Sequence, residues 1–275
     1  MFGDSAFEVA HSRQYQFIDL RGDSRGHTLV LLHGMFGGLS NFDPLLKRIQ
    51  DHPVFVPEIP IYKIEHSRLN IPGLSEWLHQ VLRKQQIRQP ILLGNSMGGH
   101  IALQYALNHP DDLSGLVLTG SSGLFENDLG SSRPRRYDRT YVKERASLTF
   151  YEDLVNDTII DEILDVLQDP SKLGSLLRVA RSTHGHNLED ELGRIEHPVL
   201  LVWGKNDVIT PPEVARQFRK KLPNATLRWI DRCGHAPMME RPEEFVKVLM
   251  PFLQLIGNRK EKEGQEHHEE DYTHF

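Results

Sequence analysis

The chain alternates short, uninterrupted apolar runs with longer stretches whose apolar residues recur every three or four positions. The runs are Thr28-Leu29-Val30-Leu31-Leu32, Val54-Phe55-Val56, Ile91-Leu92-Leu93, Leu116-Val117-Leu118-Thr119 and Pro198-Val199-Leu200-Leu201-Val202-Trp203. A strand that is apolar at every position must be covered on both faces, the condition met by parallel strands in an α/β layer. Between the runs, Phe42, Leu45, Leu46 and Ile49 trace a helix face, with Asn41 or Asp43 as its cap. Leu74, Trp77, Leu78, Val81 and Leu82 trace a second face, and Ile101, Ala102, Tyr105 and Ala106 a third. Each connection is long enough for a right-handed crossover. The expected fold is α/β, a doubly wound and mostly parallel sheet.

Two short alternating stretches, Phe7-Glu8-Val9 and Tyr15 to Leu20, read as an N-terminal hairpin. After Gly120 the strand pattern stops. Leu154, Val155, Ile159, Ile163, Leu164 and Leu167, then Leu173, Leu176, Leu177 and Ala180, give helical faces only, so 121–195 reads as a helical insertion. The alternation resumes at Pro198 with a helix expected at 211–221, a strand at 226–230 and a helix at 241–256. The core is therefore 1–120 with 196–257, and 258–275 is a charged, flexible tail without apolar periodicity. His267, His268 and His274 in that tail have no rigid spacing for a metal.

Between the run at 91–93 and the helix from Ile101 lies Gly94-Asn95-Ser96-Met97-Gly98-Gly99. Gly-x-Ser-x-Gly at a strand-to-helix turn holds a serine hydroxyl out at the top of a sheet. Two glycines are needed because the turn brings backbone against backbone. The following helix aims its first N–H groups at the same spot. Neither the Gly-Lys-Ser/Thr of a phosphate loop nor a Gly-x-Gly-x-x-Gly spacing is present.

A serine hydroxyl needs a base, a group to orient that base, and donors for the developing oxyanion. Open α/β sheets gather such groups on loops at the C-terminal ends of strands. Asp207 follows the strand at 198–203, and His235 follows the strand at 226–230, in Asp231-Arg232-Cys233-Gly234-His235-Ala236-Pro237. The chain order is serine, acid, histidine.

With these residues the chain resembles the α/β-hydrolase family. His33-Gly34-Met35-Phe36-Gly37-Gly38, Gly94 to Gly99, Trp203-Gly204-Lys205-Asn206-Asp207 and Cys233-Gly234-His235 resemble its four motifs in the family's order. The resemblance covers about Thr28 to Leu253 and makes 121–195 the helical cap. It implies that Ser96 is the nucleophile, His235 the general base and Asp207 the orienting acid. The backbone N–H groups of Met35 and Met97 would form the oxyanion hole, and Phe36 would touch substrate. One loop departs from the family. Pro57-Glu58-Ile59-Pro60-Ile61-Tyr62 stands where relatives often carry an Asp with a Gly-rich turn.

The expected reaction is hydrolysis of a carboxylic ester through an acyl-enzyme, without metal or cofactor. Phe125, Tyr137, Tyr141, Leu148, Phe150 and Tyr151 suggest a small-molecule substrate with an apolar acyl or aromatic group. Arg133, Arg135, Arg136 and Arg139 are either a substrate-carboxylate site or a solvated basic linker. A carbon–carbon bond hydrolase of ring-cleavage diketones stays open, since Asn41 and the serine turn resemble that subfamily while Ala236 replaces its usual tryptophan. Thioester and lactone hydrolysis stay open too, as does a slow-turnover ligand receptor on the same scaffold.

A formal net charge of -6 argues against a nucleic-acid partner. No apolar run approaches a membrane span. Cys233 is the lone cysteine and no signal sequence is seen, so a reducing, cytoplasmic compartment is expected. Oligomeric state is not legible.

Overall fold

The computed structural model describes residues 5–12, 15–22, 26–127 and 138–270, without the side chains of 259–270. Its strands are β1 (Ala10–His11), β2 (Gln16–Leu20), β3 (Leu29–Leu32), β4 (Val54–Pro57), β5 (Ile91–Asn95), β6 (Gly115–Thr119), β7 (Val199–Gly204) and β8 (Ala225–Ile230). They form one eight-stranded sheet in the order β1-β2-β4-β3-β5-β6-β7-β8. β1 and β2 pair antiparallel, β2 joins β4 antiparallel, and the remaining pairs are parallel. The doubly wound, mostly parallel α/β sheet is thus observed.

Side-chain alternation sorts the apolar runs into two cores. Val30, Leu32 and Leu92 pack on one face with Trp77, Tyr105 and Phe218. Leu29, Leu31, Ile91 and Leu93 pack on the other with Phe42, Leu45, Phe245 and Leu249. The first face is covered by α2 (Ile71–Lys84), α3 (Met97–Asn108) and α7 (Pro212–Lys221). The second is covered by α1 (Asp43–Leu46), α8 (Pro237–Glu240) and α9 (Pro242–Glu270). Asn70 caps α2, its side-chain oxygen accepting from the Gly73 amide at 2.8 Å.

Between β6 and β7 come α4 (Arg139–Ser147), α5 (Asp157–Gln168) and α6 (Pro170–Gly185). Each begins at a polar cap. Asp138 accepts from Tyr141, Asn156 from Ile159, and Asp169 from Ser171 and Lys172. Val142, Val155, Ile159 and Ile160 give the segment a small core of its own. It is bonded to the body at several points. Ser182 Oγ accepts from the Ile71 amide. His100 Nε2 lies 3.0 Å from His186 Nδ1.

Three sequence expectations change. The first strand lies at Ala10–His11, not Phe7 to Val9, where the chain turns toward Asp43, whose carboxylate takes the Ser5 hydroxyl and Ala6 amide. The expected helix through Ile49 is a 3-10 turn at Leu39–Phe42 and a single α-turn, α1. Its four apolar positions are buried as expected, but tight turns carry them rather than one helix. Backbone in α9 runs helical through Glu270, across most of the charged stretch set aside as a tail. His267 and His268 lie beyond the described side chains, as does His274 beyond the described residues. Among the described residues no helix is long and apolar enough to cross a membrane.

Candidate active site

Ser96 sits between β5 and α3 with φ +54° and ψ −120°. A non-glycine residue there stores strain of order 1–3 kcal/mol, so the surroundings must hold it. They do so through backbone. Ser96 N–H donates to Thr119 O at 3.1 Å, and Ser96 O accepts from Gly99, His100 and Ser122 amides. A Cβ on Gly94 would lie 2.4 Å from Gly98 backbone, and one on Gly98 would lie 2.1 Å from Leu32 O. The smallness read from sequence is therefore a contact between β5, α3 and the end of β3. Ser96 is half-buried, and among the described residues nothing hydrogen-bonds its hydroxyl.

Asp207 and His235 are nearly inaccessible, at 2% and 5% exposure. His235 Nδ1 lies 2.9 Å from Asp207 Oδ2. Asp207 Oδ2 also accepts the Thr210 hydroxyl at 2.8 Å, while Oδ1 accepts the Ile209 and Thr210 amides at 2.9 and 3.0 Å. An ionised carboxylate only accepts, so the His235 Nδ1 carries the hydrogen and Nε2 is the bare nitrogen. Burial alone would push the imidazole down. The Asp207 carboxylate, Glu126 and Glu240 together outweigh burial, and His235 is held above the ordinary histidine value.

Ser96 and His235 are brought to one place by their neighbours. Asn95 Nδ2 donates to Thr119 O at 3.0 Å and to His235 O at 2.9 Å. Gly120, directly after Thr119, has φ +50°, and a Cβ there would meet the His235 ring nitrogen at 2.7 Å. The imidazole thus stacks over the end of β6, beside the serine turn.

The loop after β3 closes the opposite side. A Cβ on Gly34 would lie 3.3 Å from the Ser96 Cβ. Gly34 O accepts from Gly37 N–H at 3.0 Å and from His33 Nδ1 at 2.8 Å, while His33 Nε2 accepts the Ile59 amide. The Gly34–Met35 peptide is planar and trans, so pinning its carbonyl turns the Met35 N–H the opposite way. No described residue accepts that N–H. Burial pushes the fully enclosed His33 down to about 4, so it stays neutral. The Met97 N–H is the first of α3 and has no acceptor within its helix. The Met97 side chain is buried and that of Met35 half-buried.

Other sequence-read residues are scattered around this centre. Phe36, Phe125, Leu148 and Tyr151 are exposed. Phe150 packs against both the insertion's core and the sheet's. Tyr141 lies in α4 with the Arg145 guanidinium over its ring. Arg139 pairs with Asp157 and Asp161 of α5 at the surface. Arg133, Arg135, Arg136 and Tyr137 lie outside the described residues. Asn41 Oδ1 accepts the Gly38 amide at 3.1 Å and so braces its own loop. Cys233 is buried and its thiol is pushed up by burial and by Glu240. Thr210, Asn95 and His33 were not singled out from sequence. For Thr210 the Asp-x-x-Thr spacing of a turn was the available signal; for Asn95 there was none.

A family model described as "Alpha/beta hydrolase family" matches residues 29–248. A 2-hydroxy-6-oxononadienedioate/2-hydroxy-6-oxononatrienedioate hydrolase of Comamonas testosteroni is 27% identical, covering 86% of this chain and 91% of its own. A pimeloyl-[acyl-carrier protein] methyl ester esterase of Nitrosomonas europaea is 28% identical, covering 83% and 96%. Among solved structures, an alpha/beta hydrolase enzyme from a lagoon-sediment metagenome is 33% identical with a TM-score of 0.73, covering 90% of this chain and 98% of its own.

Proposed function

We propose that this chain, which belongs to the alpha/beta hydrolase family, is a serine hydrolase of carboxylic esters. Ser96 is the nucleophile. As its hydroxyl adds to the ester carbonyl, the proton passes to His235 Nε2, and the imidazolium is stabilised by Asp207. The carbonyl oxygen becomes an oxyanion taken by the N–H groups of Met35 and Met97. Collapse breaks the bond to the alcohol oxygen, which leaves with the proton from His235. Water, deprotonated by the same nitrogen, then attacks the acyl-enzyme and releases the acid and free Ser96.

The observation that carries this reading is the Asp207–His235 bond, which leaves Nε2 as the basic nitrogen beside the serine turn. Exposed Phe36, Phe125, Leu148 and Tyr151 on the loops around it support an apolar acyl or aromatic group. Asn41 and the serine turn resemble carbon–carbon hydrolases, but Ala236 stands where that subfamily carries its usual tryptophan, and the Asn41 oxygen braces its own loop through the Gly38 amide, so the ester is the preferred reading. A cytoplasmic location belongs to the same reading, on the lone buried Cys233.

The test is turnover of p-nitrophenyl esters of graded acyl length against a vinylogous diketone, with Ser96→Ala as control. Ester turnover that vanishes in Ser96→Ala is expected. Faster cleavage of the diketone would replace the reading with carbon–carbon hydrolysis. A fluorophosphonate adduct on Ser96 without turnover of either substrate would point to a receptor.

A further inference from the structure

The loop that carries His235 is bonded directly to the insertion. His235 N–H donates to Thr149 O at 2.8 Å. On the preceding peptide, Gly234 N–H donates to Glu240 Oε1 at 2.9 Å. The other oxygen, Glu240 Oε2, accepts the Tyr151 amide at 2.7 Å. A Cβ on Gly234 would lie 2.7 Å from Thr149 O and 3.0 Å from Tyr151 N, so the two backbones are in contact. An ion pair between Arg241 and Glu152 continues the seam at the surface. The half-buried Glu240 side chain thus spans the two segments, one oxygen to each.

We propose that Glu240 is a positioning residue that ties the His235 loop to Thr149–Tyr151 and so keeps the imidazole in register with Ser96. The proposal rests on the reading of Ser96 and His235 given above. Only a carboxylate suits the post, because each of its oxygens accepts while a carboxamide turns one N–H donor toward another. His235 is held from three sides: Asp207 on its ring, Asn95 on its carbonyl and Thr149 on its amide. Asn95 ends β5 and Asp207 lies on the turn after β7, while Thr149 belongs to the insertion. Movement of the insertion therefore reaches the base through this seam.

Titratable and charged groups around the two residues are Asp207, Glu126 and Glu240 about His235, with the neutral Cys233 thiol on the Glu240 carboxyl and Arg241 on the Glu240 carbonyl. Burial raises the Glu240 carboxyl, and the amides it accepts oppose that.

The experiment measures kcat and KM on a p-nitrophenyl ester across pH for Glu240→Gln and Glu240→Asp, with amide hydrogen exchange on each. Glu240→Gln is expected to lose about tenfold in kcat with KM nearly unchanged, since a hydrogen bond to a charged acceptor is lost. Its acid limb in kcat/KM should move to lower pH, because a negative charge facing His235 is gone. The Gly234 and Tyr151 amides should exchange faster together while β5 amides do not change. Glu240→Asp keeps the charge but is too short to span the seam, so kcat falls and the limb stays. A folded Glu240→Gln with wild-type kcat, or with lower kcat and an unmoved limb, overturns the proposal. Should that variant not fold, wild-type protection of both amides and wild-type kcat in Glu240→Asp overturns it. Fluorophosphonate labelling of the wild type separates the two failures. No adduct on Ser96 defeats the triad, whereas an adduct beside an indifferent Glu240→Gln defeats only the positioning role.

Discussion

His235 Nδ1 and Asp207 Oδ2 are 2.9 Å apart in a site where every other acceptor position of Asp207 is already filled by its own turn. The carboxylate is therefore held rigidly before it holds the imidazole. In Asp207→Asn the amide has to place either its oxygen or its NH2 at the ring, and Ile209 and Thr210 N–H groups claim the oxygen. The NH2 then faces Nδ1 and drives the hydrogen onto Nε2. A kcat loss of up to ~10⁴ is expected, by analogy with the serine-protease triad. Circular dichroism should show the fold unchanged. A folded variant within a fewfold of wild type would mean that another group orients His235.

The same bond sets the pH response. His235 is held above the ordinary value, and under the proposed mechanism only its neutral form takes the Ser96 proton. Activity should therefore rise with pH through a midpoint above about 6.5, the unperturbed histidine value. The measurement is kcat/KM against pH under subsaturating ester. A midpoint clearly below 6.5 would contradict the assigned partners of the ring.

His33 makes the opposite prediction, for stability. Its folded value is about 4, whereas unfolded it titrates near 6.5. The unfolded chain therefore binds the extra proton first. The contribution is complete above about pH 6.5 and is lost as pH falls toward 4, on the order of 3 kcal/mol from this group. Urea midpoints at neutral and mildly acid pH should show the fall. His33→Asn should be weaker at neutral pH and flatter between the two; an unchanged slope would refute the assignment to His33.

Gly120 offers a steric test. With φ +50° and an added Cβ 2.7 Å from both His235 Nδ1 and O, Gly120→Ala must displace the imidazole or its strand end. We expect at least about a tenfold loss in kcat. A lower Tm should accompany it, with strain of about 1–3 kcal/mol. A variant of wild-type activity would show that the ring has room to give.

The central strands were legible because β3, β5, β6 and β7 are buried at every residue, and unbroken apolar runs have few other uses. The helices α2 and α7 were legible from their one-sided patterns. β1 was not, since two residues at a sheet edge leave no periodic trace. Phe42, Leu45, Leu46 and Ile49 recorded burial correctly, but burial does not say whether α or 3-10 bonds carry it. Ser96, Asp207 and His235 stood out because glycine turns and strand ends frame them. Asn95 and Glu240 did not, because their partners are fixed by the fold. The Asn95–His235 contact joins residues 140 apart, and that of Glu240 with Tyr151 joins residues 89 apart.

The backbone that strains Ser96 is anchored to Thr119 on β6 and pressed against Leu32 on β3, strands formed from separate stretches of the chain. Contacts between distant segments form slowly, since each must close a long loop before it gains anything. The serine turn cannot then be held by β5 and α3 alone during refolding. It must wait for strands on both sides, and His235 must wait for β7 and β8 beyond them. Far-ultraviolet ellipticity should recover first as helices form, with hydrolytic turnover trailing it by a separate, slower phase.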